Sequence, residues 1–348
     1  MAPIRPLLAA GVIAVSALAG CTSDSQPGDA PATCGAAPLV EPGETTTIVR
    51  PPGDPNRFRV KAAAFLPDGE VLVAAETNVP EAGDEVLDRR PILFVVAGDG
   101  ECAPFDLPVV AGTAVTSNAV PMATGDDGAL FVWDPDNHRI VRRGMTGAWT
   151  TAVTIPSRLH MYGEPAAAVA ADGTLYVRTD AAVQRVRSGE LEIVAGRGET
   201  PARFLDPRTL PAPATAAALP ALGDVAASAD GALFLTTRNA ILRVDQDGML
   251  RAAASPETTR GQDGAIVREQ EGTELRSTLT GVAVTPDGDL LIGDTGMQRV
   301  LLMREGQASV LMHDVTALAP GHPLDADATK LLALGEAGAQ LLLIGLDG

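Results

Sequence analysis

The chain has 348 residues, is 46% hydrophobic and 20% charged, and carries a formal net charge of −18. That is enough apolar material for one large domain, and it excludes disorder along the whole length. The acidity argues against a nucleic-acid platform, which needs a basic surface, and against electrostatic docking on anionic lipid; otherwise it serves solubility.

In chain order, the first feature is Arg5 followed by the apolar run Leu7 to Leu18. A membrane-spanning helix needs about 20 apolar residues, so this shorter run reads as a secretory signal. It ends in Leu18-Ala19-Gly20-Cys21, which resembles the lipobox of bacterial lipoproteins. The resemblance implies a signal peptide over 1–20, cleavage before Cys21, and acylation of the Cys21 thiol. Two acyl chains hold a protein stably on a membrane, where one is marginal. The expected location is therefore the extracytoplasmic face of a bacterial cell membrane, with the membrane as partner through the lipid. Residues 22–44 are polar and rich in Pro and small residues, and read with Cys21 as a lipidated, flexible tether.

From residue 45 onward one phrase recurs: an apolar strand, a turn ending in Asp-Gly, a second apolar strand, a polar turn, and a third strand that often carries Arg. Copies fall at 63–73, 122–142, 167–187, 225–244 and 281–301, with turn glycines Gly69, Gly128, Gly173, Gly231 and Gly288. Asp-Gly between apolar runs is a hairpin signal, because Gly accepts positive φ at a tight turn. Successive turn glycines lie 59, 45, 58 and 57 residues apart. Each interval holds about four strands, the size of one propeller blade. A sixth copy without the Asp-Gly turn runs from Thr316 through Lys330–Leu334 to Gln340–Ile344. The fold expected over 45–348 is all-β: a six-bladed propeller of four-stranded antiparallel sheets. A β-sandwich would not explain the recurring phrase. The last blade lacks a fourth strand of its own. The β-branched segment Thr45–Val49 suits a strand and is expected to pair with 340–344, closing the ring.

Gly281–Leu301, with Asp294-Thr-Gly-Met-Gln-Arg-Val, resembles an NHL repeat, as does Asp134-Pro-Asp-Asn-His-Arg-Ile. Ile193-Val-Ala-Gly-Arg-Gly and Pro213-Ala-Thr-Ala-Ala-Ala-Leu are similar to inter-blade segments of bacterial NHL proteins. The resemblance implies a β-propeller, and in that family such rings act as extracellular sensor domains and protein-interaction platforms.

No convincing catalytic set is legible. His138, His160, His313 and His322 show no metal-binding spacing, and His138 sits inside the repeat. Asp134, Asp136 and Asn137 begin like a calcium loop but lack its Gly and distant Glu, so they read as a turn. There is no nucleophile elbow and no phosphate loop. Aromatic residues, at 3%, are too few to favour a sugar-stacking groove. Propeller ligands sit at the mouth of the central channel. The residues expected to rim it are Asn118, Glu164, Asp224, Thr280 and Asp314, whose three carboxylates suit a cation, calcium above all, or a basic ligand group. No other cofactor is expected. Cys34 and Cys102 remain once Cys21 is acylated, and an oxidising compartment predicts a disulfide between them. The reading is a surface binding or scaffolding module, sensory in the manner of its family, for a protein or small-molecule ligand at the propeller face. The alternative is a metal-dependent hydrolase or lyase, using calcium or zinc in the channel.

Overall fold

The computed structural model describes residues 33–34, 44–50, 58–66, 68–80, 87–125, 127–156, 159, 166–198, 201–203, 205, 209–237, 240–254, 278–319, 329–335 and 340–346. Leu18–Cys21, the segment read as a lipobox, lies outside them. No helix among the described residues is long and apolar enough to cross a membrane.

The chain begins with β1 (Thr33–Cys34) and β2 (Thr45–Arg50). Blade 1 follows as β3 (Phe58–Phe65), β4 (Val71–Pro80), β5 (Leu87–Val96) and β6 (Cys102–Pro104). A small hairpin, β7 (Val109–Val110) and β8 (Thr113–Ala114), leads to blade 2: β9 (Val120–Thr124), β10 (Leu130–Asp134), β11 (Arg139–Arg143) and β12 (Trp149–Thr154). Blade 3 is β13 (Ala167–Val169), β14 (Leu175–Arg178), β15 (Ala182–Arg187) and β16 (Glu190–Gly196). The short β17 (Ala212–Pro213) precedes blade 4: β18 (Leu222–Ala227), β19 (Leu233–Thr237), β20 (Ala240–Val244) and β21 (Met249–Ala254). Blade 5 is β22 (Leu279–Val284), β23 (Leu290–Asp294), β24 (Arg299–Arg304) and β25 (Gln307–His313). Blade 6 comprises β26 (Ala317–Leu318), β27 (Lys330–Gly335) and β28 (Gln340–Gly345). Each blade is an antiparallel meander, and the six form a β-propeller.

The expected turns are present. Gly288 has φ +86° and its N–H donates to the Thr285 carbonyl at 2.9 Å, a turn that a side chain at Gly288 would strain. The other four repeat glycines adopt the same conformation. The Asp before them has its own role: Asp68, Asp127, Asp172 and Asp230 each accept the N–H two residues on. In blade 5 the Thr285 hydroxyl accepts from Asp289 instead. Asp-Gly therefore pairs a side-chain acceptor with a residue free to turn.

Burial explains the strand sequences. The second strands β10, β19 and β23 are buried at every position, because blades cover both their faces. Fourth strands such as β12 and β21 mix buried and exposed residues, as sheet margins do. The core is six apolar clusters, each shared by two neighbouring blades. Phe94, Val73 and Phe58 of blade 1, for example, pack with Leu332, Leu341 and Leu343 of blade 6. That last cluster closes the ring.

Closure uses the N-terminal strand. β2 pairs with β28, Thr45 opposite Ile344 and Val49 opposite Leu341, and supplies the fourth strand of blade 6. Ile48 and Val49 are fully buried. The tether span is not featureless: β1 pairs with β2, Cys34 opposite Val49, and forms a fifth strand at the blade margin. In blade 4, β17 is likewise a fifth strand.

Candidate functional site

Successive blades touch through their first strands: β3 on β9, β9 on β13, β13 on β18, β18 on β22, and β22 on β26. Those strands surround the ring axis. Several carry an extra residue against the second strand: Lys61 in β3, Met122 in β9, one of Gly223 and Asp224 in β18, and Thr280 in β22. Such bulges bend a strand and re-aim a side chain.

Two of the five expected rim residues fall at these bulges and meet. Asp224 Oδ1 accepts the Val225 N–H at 2.8 Å, and its Oδ2 accepts the Val282 N–H of blade 5 at 3.1 Å. The Asp224 N–H donates to the Thr236 hydroxyl at 2.6 Å, which donates on to the Thr280 carbonyl at 3.2 Å. Gly223 makes this approach feasible, since a Cβ there would sit 2.6 Å from the Thr236 Oγ1 and 2.8 Å from the Thr280 oxygen. Asp224 is 6% exposed, and burial pushes its carboxyl up to about 6, against the two N–H donors and the positive charge of Arg178. Arg178, also buried, donates from Nη1 to the Leu222 carbonyl at 2.9 Å, linking blade 3 to the same cluster. The Thr280 hydroxyl oxygen is buried with no hydrogen-bond partner among the described residues.

Asn118 is exposed, and its amide donates to Asp136 Oδ2 at 2.9 Å. Asp314 is exposed just after β25, with φ +63°. Glu164 lies outside the described residues, as do His160 and His322. Among the described residues no three of His, Cys, Asp or Glu converge as a metal site.

The Asp134 segment is a structural corner. Pro135–Asn137 form one turn of 3-10 helix and His138 takes φ +48°. Both Asp134 oxygens are engaged: Oδ1 by the Thr116 hydroxyl at 3.1 Å, Oδ2 by Asn137 at 2.8 Å and Arg139 Nε at 2.9 Å. Arg139 reaches on to the carbonyls of Val110 and Thr113, both at 2.9 Å, and so holds the β7–β8 hairpin. His138 contributes its backbone: its carbonyl accepts from Ile155 at 2.7 Å. Blade 5 repeats the design. Asp294 pairs with Arg299 at 3.1 Å and accepts the Thr278 N–H at 2.9 Å, while Gln298, with φ +49°, accepts from Val315. In blades 3 and 4 the aspartate position is Thr179 or Thr237, whose hydroxyl closes a corner two residues shorter on Ala182 or Ala240. The signal for the buried arginines was present in the sequence, as Asp and Arg at the same spacing in two copies. Thr236, Arg178 and the Lys61–Glu76 pair of blade 1, at 2.9 Å, had no such signal.

No protein-family model and no curated protein matches the chain in sequence. Among solved structures, it is similar to a structural genomics protein of unknown function from Bacteroides thetaiotaomicron, with TM-score 0.52 and 12% identity over 90% of this chain and 74% of that one. Weaker likenesses are virginiamycin B lyase from Staphylococcus aureus (TM-score 0.47, 12% identity, 88% of this chain and 89% of that one) and an auxiliary nutrient binding protein from Bacteroides ovatus (TM-score 0.45, 16%, 69% and 58%). At these identities the likeness concerns the fold alone. With the six shared cores and the closing strand, it places the chain among the six-bladed β-propellers.

Proposed function

We propose that this chain is an NHL-type propeller held by an acylated Cys21 on the extracytoplasmic face of a bacterial cell membrane, where its ring binds a protein or small-molecule ligand as a scaffold or sensor. The observation that carries the binding role is the use made of the buried acids. Asp134, Asp224 and Asp294 each have both oxygens engaged within the blades or across a seam, so these groups hold the ring rigid. A rigid ring offering loops and a channel mouth suits recognition. The Thr280 hydroxyl, beside the blade 4–5 seam, is buried without a hydrogen-bond partner among the described residues. The anchor and the location rest on Leu18–Cys21.

The test uses the full chain produced in a bacterium. Metabolic labelling with a fatty-acid analogue is expected to mark the wild type and not Cys21→Ala; equal labelling overturns the anchor. The ring is then crosslinked in membranes and analysed for bound metal. A stoichiometric crosslinked membrane protein, lost on adding excess soluble ring, is the expected result. Stoichiometric calcium or zinc with hydrolase or lyase turnover would replace the binding role with the enzymatic one.

A further inference from the structure

The cysteines bear on how the ring is closed. Cys102 opens β6, the outer strand of blade 1, and is disulfide-bonded. It also packs against the core shared by blades 6 and 1, the cluster that contains Ile48 and Val49. The backbone of Cys34 stands directly opposite Val49, in the strand that β1 adds outside β2. One seam therefore brings together Cys102 from the first blade and Cys34 from the margin of the last.

We propose that Cys34 and Cys102 form a covalent lock across the seam between the first and last blades, so that ring closure depends on redox state. Without it the seam is held by the β2–β28 ladder and by side-chain packing. The lock rests on the proposed export of the chain, since such bonds persist in oxidising compartments. It forms by thiol–disulfide exchange with an oxidised dithiol protein. Two cysteine thiols become one disulfide, and the oxidant leaves carrying the two protons and two electrons as a dithiol.

Peptide mapping of the full chain without reduction tests the pairing, and the same map reads the acylated Cys21 peptide independently. A peptide pair joining Cys34 to Cys102 is expected; two free thiols, or a Cys21–Cys102 pair, overturns the lock. Loss of Cys21 acylation with Cys34–Cys102 intact overturns the anchor alone. Hydrogen exchange before and after reduction tests the consequence. Amides of Thr45–Arg50 and Gln340–Gly345 are expected to exchange about tenfold faster or more after reduction, with β19 of blade 4 unchanged. Cys34→Ser and Cys102→Ser should each reproduce that pattern and lower the Tm by roughly 5 °C. Equal exchange at the seam in both redox states overturns the lock even if the bond is present.

Discussion

Asp224 of blade 4 accepts the backbone N–H of Val282 in blade 5 at 3.1 Å, so a single buried carboxylate spans the seam between two blades. Its partners within reach are mainly neutral N–H groups. Two such donors and a nearby Arg178 do not offset the burial, and the carboxyl is pushed up to about 6 from 3.8.

That shift fixes a pH dependence. The folded state holds the Asp224 proton more tightly than the unfolded chain does, so between pH 3.8 and about 6 the native state binds more protons. The stabilisation from this residue is full below pH 3.8 and is lost as the pH rises through about 6. A two-unit shift corresponds to about 3 kcal/mol. Other carboxylates titrate in the same window, so the informative quantity is a difference. Urea unfolding of wild type and Asp224→Asn from pH 4 to 7 should give a steeper fall of stability with pH in the wild type. Parallel curves would mean that Asp224 titrates normally.

Burial, not distance, should rank the ion pairs. Arg139–Asp134 and Arg142–Asp127 are both 2.9 Å apart, but Asp134 is fully buried whereas the Asp127 side chain is 47% exposed. Asp134→Ala strands a buried guanidinium, the Thr116 hydroxyl and the Asn137 amide, and should cost about 3–5 kcal/mol. Asp127→Ala removes a solvated pair and the N–H acceptor for Ala129, and should cost about 1 kcal/mol. Urea midpoints at constant m-value measure both. Similar losses in the two variants would show that the corner does not depend on its buried pair.

Much of the architecture was legible because a blade is a local object. The Asp-Gly turn, the apolar second strand and the Arg of the third strand lie within about twenty residues, and they recur. Even the long-range closure by Thr45–Val49 was readable, since a four-stranded blade missing one strand at one end of the chain needs it from the other. The site was less legible. Asp224 and Thr280 were picked by their position relative to the inner strands, but they sit at strand bulges, and one extra residue changes which side chain faces where. Asn118, likewise counted as a rim residue, is exposed just before β9 and donates to Asp136 of its own blade. Gly281 and Gly293 show a second limit. Leu318 of blade 6 packs so close that a Cβ on Gly281 would lie 2.8 Å from its Cβ, a contact between residues 37 apart that no local pattern encodes.

The closing strand itself should be indispensable to cooperativity. β2 contributes two fully buried side chains, Ile48 and Val49, and the ladder to β28. Burying each side chain is worth about 1.5–3 kcal/mol, and loss of the ladder leaves β28 as a bare apolar edge. Two deletions separate this strand from the segment before it. Removing 22–32 keeps β1 and β2, whereas removing 22–50 takes both. Melting both under reducing conditions keeps the cysteines out of the comparison. The shorter deletion should melt with the undeleted chain. The longer one should lose roughly 5–10 °C and associate at high concentration through the exposed edge of blade 6. Equal melting temperatures would show that blade 6 stands without β2, and that the ring is closed by the blade 6–blade 1 side-chain packing alone.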